Sequence, residues 1–138
     1  MSSAAVRGSI VSALVAQFSP AWPYVETFGL ATDNELLPPK WMSADFAADG
    51  EERLTIEVPS IWLETGVCRI VANTLSAEGS ALALAQSDAV CDFFRSWRDD
   101  SILLRIDRVT PPSLLVEESD GRWLTVAVDI LYSREFTE

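Results

Sequence analysis

Apolar residues recur at helical spacing in two stretches of this chain and alternate with polar residues over much of the rest. Val6, Ile10, Leu14 and Phe18 follow an i, i+4 pattern, with Val11 and Val15 widening the stripe. Residues 3–18 therefore read as an amphipathic helix. Ser2 or Ser3 can cap its orphan amides, and Pro20 and Pro23 stop it. A second helix is expected over residues 78–97, with Leu82, Ala85, Ala89, Val90, Phe93 and Trp97 on one apolar face. Ser76 caps it, Glu78 suits the positive end of its dipole, and Arg95 and Arg98 suit the negative end.

Strand patterns fill the space between and after the helices. Residues 24–30 read as a short strand, followed by a polar loop through Asp33, Asn34, Pro38 and Pro39. Trp41, Ser43 and Asp45 alternate with Met42, Ala44 and Phe46, the pattern of a half-buried strand. Asp49, Gly50, Glu51 and Glu52 read as an acidic turn, and residues 54–58 as a strand ended by Pro59. Residues 62–73 form a longer strand candidate in which Gly66 marks a bulge.

The last third reads as three strands, from Ile102 to Phe136. Pro111 and Pro112 cannot donate to a ladder and mark a corner. Asp120 and Gly121 sit between apolar runs as a hairpin turn, because Gly tolerates positive φ. The order is helix, strands, helix, three strands. This predicts a single α+β domain over residues 1–138, a mainly antiparallel β-sheet packed by two amphipathic helices.

Charge and composition narrow the chemistry. The formal net charge is −11, which disfavours binding to phosphate backbones and to anionic membranes. The chain has no histidine, so Ser-His-Asp and Cys-His catalysis cannot be built within it. Two cysteines, Cys68 and Cys91, cannot complete a Cys/His zinc site. They read as buried thiols of a reducing compartment, and a disulfide between them stays open. The apolar segment 10–16 after Arg7 is too short to span a bilayer and lacks a good cleavage site, so it reads as part of a packed helix rather than a secretory signal. The carboxylate pairs Glu51–Glu52, Asp99–Asp100 and Glu117–Glu118 lack the alternate spacing of a calcium loop and read as solvated surface. Phosphate-cradling glycine loops are absent, and Lys40, the sole lysine, follows two prolines in a polar loop. No catalytic residue, cofactor or metal is expected.

Five tryptophans remain: Trp22, Trp41, Trp62, Trp97 and Trp123. Trp97 falls on the core face of the second helix. Trp123 shares a strand face with Asp129, opposite Leu124, Val126, Val128 and Ile130. That half-polar aromatic face is either a subunit interface or a face covered by a helix of the same chain.

The chain resembles the tail terminator, or tail completion, proteins of lambda-like siphophages and prophages. The resemblance spans the N-terminal helix with its Pro/Trp stretch and the strand from Trp41 to Phe46. It continues through the run from Glu64 to Ala72 and through Glu78-Gly79 into the alanine-rich helix ending Phe93-Phe94. It closes on Arg108-Val109-Thr110-Pro111-Pro112, Asp120-Gly121-Arg122-Trp123 and the final strand from Val126 to Tyr132. The resemblance implies an α+β fold, self-assembly into a ring (a hexamer), and a seat at the head-proximal end of the tail tube. There the ring would stop polymerisation of the major tail tube protein and present a surface to the head-closure (connector) protein. The protein would be assembled in the host cytoplasm, would reside in the virion tail, and would have no enzymatic activity. Six chains at −11 each would repel DNA passing through the bore. The candidate contact residues are Asp49, Glu51, Glu52, Trp62, Trp123 and Asp129. The alternative reading is an acidic cytosolic α+β adaptor or binding protein acting as a dimer.

Overall fold

In the computed structural model, which describes residues 4–25, 38–75, 80–114 and 123–137, both helical patterns form helices and the alternating patterns form one sheet. The elements are α1 (Ala4–Phe18), β1 (Lys40–Arg53), β2 (Ile61–Leu75), α2 (Ser80–Arg95), β3 (Arg98–Asp99), β4 (Leu104–Val109), β5 (Ser113–Leu114) and β6 (Trp123–Thr137). A short 3-10 turn, Asp100–Ile102, separates β3 from β4. The strand order is β1-β2-β6-β4-β3, with β5 also paired to β6. Every ladder between these strands is antiparallel. The fold is therefore α+β, with a mainly antiparallel sheet.

The pleat gives the sheet two unlike faces. On β2, Glu64, Gly66, Cys68, Ile70, Ala72 and Thr74 point to the helix-covered face and all are buried. Their partners across β6 include Tyr132, Ile130, Val128 and Val126, likewise buried. From α1 come Val6, Ile10 and Leu14, each fully buried. From α2 come Val90, Cys91 and Phe94. Burying each large aliphatic or aromatic side chain contributes about 1.5–3 kcal/mol, so this one cluster dominates the stability of the fold.

Several expectations are corrected here. α2 is turned so that Ala83, Gln86, Ser87, Val90, Cys91 and Phe94 are buried, while Leu82 and Ala85 face solvent. Leu82 lost the inside position because small Ala83 and Ser87 let the helix approach the sheet, and Gln86 donates to the Met42 sulfur at 3.2 Å. Phe93 and Trp97 still pack on the core edge, Trp97 edge-to-face with Phe94 at 5.4 Å. Val15 of α1 is exposed, so the stripe of that helix is narrower than the pattern suggests. Arg98 lies in β3, beyond the end of α2.

The largest correction concerns residues 49–60. Asp49, Gly50, Glu51 and Glu52 are not a turn but the continuation of β1, whose ladder with β2 runs to the pair Arg53↔Trp62. The expected strand over residues 54–58 is instead the loop of a long hairpin. The bulge lies in β1, where the register shifts between Ala48 and Gly50, and Gly66 stands opposite it on the regular strand. Pro111 and Pro112 interrupt one edge: β4 and β5 lie in succession along the same side of β6. The cap residues Ser76 and Glu78, the strand expected over 26–30, the polar loop at Asp33 and Asn34, and the Asp120-Gly121 turn lie outside the described residues. Tyr24 makes a single parallel bridge to Met42, holding the chain after α1 against the start of β1. Cys68 and Cys91 are both free and buried, which closes the disulfide alternative.

Candidate functional site

The hairpin formed by β1 and β2 carries four of the six candidate contact residues: Asp49 at the bulge, Glu51 and Glu52 beyond it, and Trp62 at the base of the loop. Glu51 and Glu52 are exposed and Trp62 is half-buried. Glu51 faces the buried Glu64 across the ladder, and Glu64 in turn faces Arg134 on β6. The Arg134 guanidinium lies 3.5 Å from the Glu64 carboxylate, donates to the Ile102 carbonyl at 3.2 Å and covers the Phe136 ring. That one cation balances a carboxylate which would otherwise be buried beside another acid.

The loop at the end of the hairpin was missed by the sequence pattern. Leu54, Thr55, Ile56, Glu57 and Val58 alternate as a strand does. The chain turns there because its own polar groups close the loop. Arg53 donates to the carbonyls of Thr55 at 2.8 Å and Ile56 at 3.3 Å, and to Ser60 Oγ at 2.6 Å. Ser60 Oγ donates to the Glu57 carbonyl at 2.8 Å, and Thr55 Oγ1 accepts from the Ile61 amide at 3.0 Å. With the polar groups turned inward, the apolar side chains point out. Ile56 is 90% exposed and Val58 88%, with Leu54 and Ile61 beside them partly exposed. Pro59, which cannot extend a ladder, was the available signal for a turn at this place.

The other two candidates lie away from the hairpin tip, on the sheet face opposite the helices. Trp123 is not a free aromatic surface. It is 4% exposed and meets Trp41 edge-to-face at 5.8 Å, so it is covered within its own chain. Asp129 accepts a two-pronged contact from Arg69, Nε to Oδ1 at 2.8 Å and Nη2 to Oδ2 at 3.1 Å. Asp129 and the nearby Asp45 raise the affinity of that guanidinium for its proton. Thr125 donates to Asn73 at 2.7 Å on the same face.

Burial, with Asp45 adding to it, pushes the Cys68 thiol well above its ordinary range, so it stays a neutral thiol. Burial also raises Cys91, whose Sγ lies 3.6 Å from the Thr110 carbonyl. Among the described residues no group of three or more His, Cys, Asp or Glu is placed to hold a metal ion. Among the same residues no helix is long and apolar enough to cross a membrane.

No protein-family model matches the chain, and no curated protein matches it either. One solved structure, whose name says nothing of a function, is similar over 99% of this chain and 97% of its own. Its TM-score is 0.58 at 18% sequence identity, a likeness of fold alone.

Proposed function

We propose that this chain is a structural subunit of a phage tail, which assembles as a ring on the head-proximal end of the tail tube. The ring ends polymerisation of the major tail tube protein and offers the head-closure protein its joining surface. The subunit resides in the virion tail, carries out no reaction and needs no cofactor. The observation that carries this reading is the β1–β2 hairpin. It holds a hydrogen-bonded loop that displays two aliphatic side chains almost fully to solvent, Ile56 and Val58. Soluble domains rarely order a loop in order to display apolar side chains unless another protein covers them. The acidic surface agrees with a role beside DNA that must pass without sticking.

Gold-labelled chain mixed with preformed tail tubes tests the reading in the electron microscope. The expected result is label at one end of each tube. Label along the tube wall, or none, contradicts it.

A further inference from the structure

β1 is an edge strand, and the hydrogen bonds at its two ends fix which of its backbone groups point away from the sheet. At the start, the Met42 amide donates to the Pro23 carbonyl and the Met42 carbonyl accepts from the Val25 amide, both at 2.8 Å. The groups of Met42 therefore face the open side. Residues of an antiparallel strand alternate between facing their partner and facing away, so those of Ala44 and Phe46 face the open side too. At the far end the Leu54 amide donates to the Ile61 carbonyl at 2.7 Å, toward β2. Counting back from Leu54, the groups of Arg53 and Glu51 face the open side, and the bulge between Ala48 and Gly50 absorbs the change of parity. Among the described residues, β1 beyond Met42 bonds only to β2. The bridge at Met42 shows that this edge accepts a strand.

The side chains along the edge select what can pair there. Asp45, Glu51 and Glu52 are exposed on it. The nearby cations are spent elsewhere. Arg53 closes its own loop, Arg69 grips Asp129, and Arg7 lies over the Phe46 ring. Among the described residues Glu51 and Glu52 have no ion-pair partner. A second copy's β1 would set carboxylates against carboxylates, which destabilises a strand pair. A strand carrying Lys or Arg meets the opposite situation. The edge also runs directly into the loop that displays Ile56 and Val58, so one extended segment can reach open backbone, unpaired carboxylates and aliphatic side chains in succession.

We propose that β1 takes an added strand from a different protein, an extended segment with Lys or Arg opposite Glu51 and Glu52. This rests on the reading of the hairpin as a contact surface and names the chemistry of its partner. Main-chain hydrogen bonds to the outward groups of Ala44, Phe46, Glu51 and Arg53 hold the segment. The two carboxylates choose its sequence, and the contact weakens with salt.

Two labelled peptides test this with the full chain. Both alternate valine and threonine; one has two adjacent lysines at its centre and the other two glutamates. By fluorescence anisotropy the lysine peptide should bind, more weakly as salt rises, and the glutamate peptide should not. The Glu51→Lys, Glu52→Lys variant should fold as the wild type does, checked by circular dichroism, since exposed charges contribute little to stability. It should bind the lysine peptide at least about tenfold more weakly and take up the glutamate peptide instead. Amide exchange by NMR reads the strand itself. The amides of Ala44, Phe46, Glu51 and Arg53 should exchange quickly in the free protein and slowly with the lysine peptide, while those of Asp45 and Glu52 are slow in both. Binding that leaves the four amides unprotected is charge attraction alone and overturns the proposal. So do equal binding of both peptides, no binding at millimolar peptide, and protection of the same amides by raising the protein concentration alone, which would make a second copy the occupant. In each of those cases the labelling of tube ends still judges the capping role on its own.

Discussion

Tyr132 lies directly over Gly66, its cross-strand neighbour, on the helix-covered face of the sheet. A Cβ at position 66 would stand 2.7 Å from Tyr132 Cζ and 2.8 Å from the Ala47 carbonyl oxygen. The glycine is needed for close approach, because the neighbouring β1 backbone comes in tightly just before its bulge. Gly66→Ala should cost about 1–3 kcal/mol, since the Ala47 carbonyl is fixed by the ladder and Tyr132 is fully buried. Urea denaturation of the variant measures this, and an unchanged midpoint would mean that the strands part more easily than argued.

Arg134 and Glu64 make a second prediction. Both side chains are mostly shielded, at 18% and 3% exposure. Arg134→Met should destabilise by about 3 kcal/mol, because it leaves the Glu64 carboxylate buried beside Glu51 without its counter-charge. Adding Glu64→Gln to Arg134→Met should recover much of that loss. A second change that makes matters worse would show that Arg134 acts through packing on Phe136 instead.

Asp99 predicts a pH effect. Ser101 and then Ser9 donate to its carboxylate, Ser9 at 2.6 Å from α1, and hold it below the usual carboxylate range. A depressed folded-state value gives stability that is present above the unfolded value, near pH 4, and lost as pH falls through the folded one. The contribution is under about 1 kcal/mol for so exposed a group. Asp99→Asn should therefore lower the melting temperature slightly at neutral and alkaline pH, with the two profiles converging in acid, so that the variant's acid limb is the flatter. Identical acid limbs in the two proteins would remove Asp99 from the account.

The two cysteines should be silent in the native protein. Burial raises both thiols, so neither supplies the thiolate that reacts. Ellman's reagent should react with neither at pH 8 until denaturant is added, and then with both. Fast reaction in the native state would contradict the burial of the α2 core face.

The sequence made much of this architecture legible. The i, i+4 stripe of Val6, Ile10 and Leu14 placed α1, and the alternation from Trp41 to Phe46 assigned the two faces of β1. It misled where a local pattern met a longer-range constraint. Leu54, Ile56 and Val58 alternate like a strand, but Arg53 and Ser60 close the segment into a loop, an interaction that periodicity does not report. On α2, Leu82 is the more hydrophobic residue, yet the small Ala83 takes the buried position, because the spacing of helix from sheet decides that face. Trp123 read equally as interface or as covered residue. The choice turned on Trp41, more than eighty positions away in the chain and brought near by the strand order.

The central claim, that this chain ends a phage tail tube, is tested most directly by tail length in the electron microscope. Tails would be compared from cells making the wild-type chain, no chain, and the Ile56→Ser, Val58→Ser variant. That variant should fold normally, because both side chains are already in water. The account predicts uniform tails with the wild type and overlong tails, with few infectious particles, in both other cases. Tails of normal length and normal titre without the chain would contradict it.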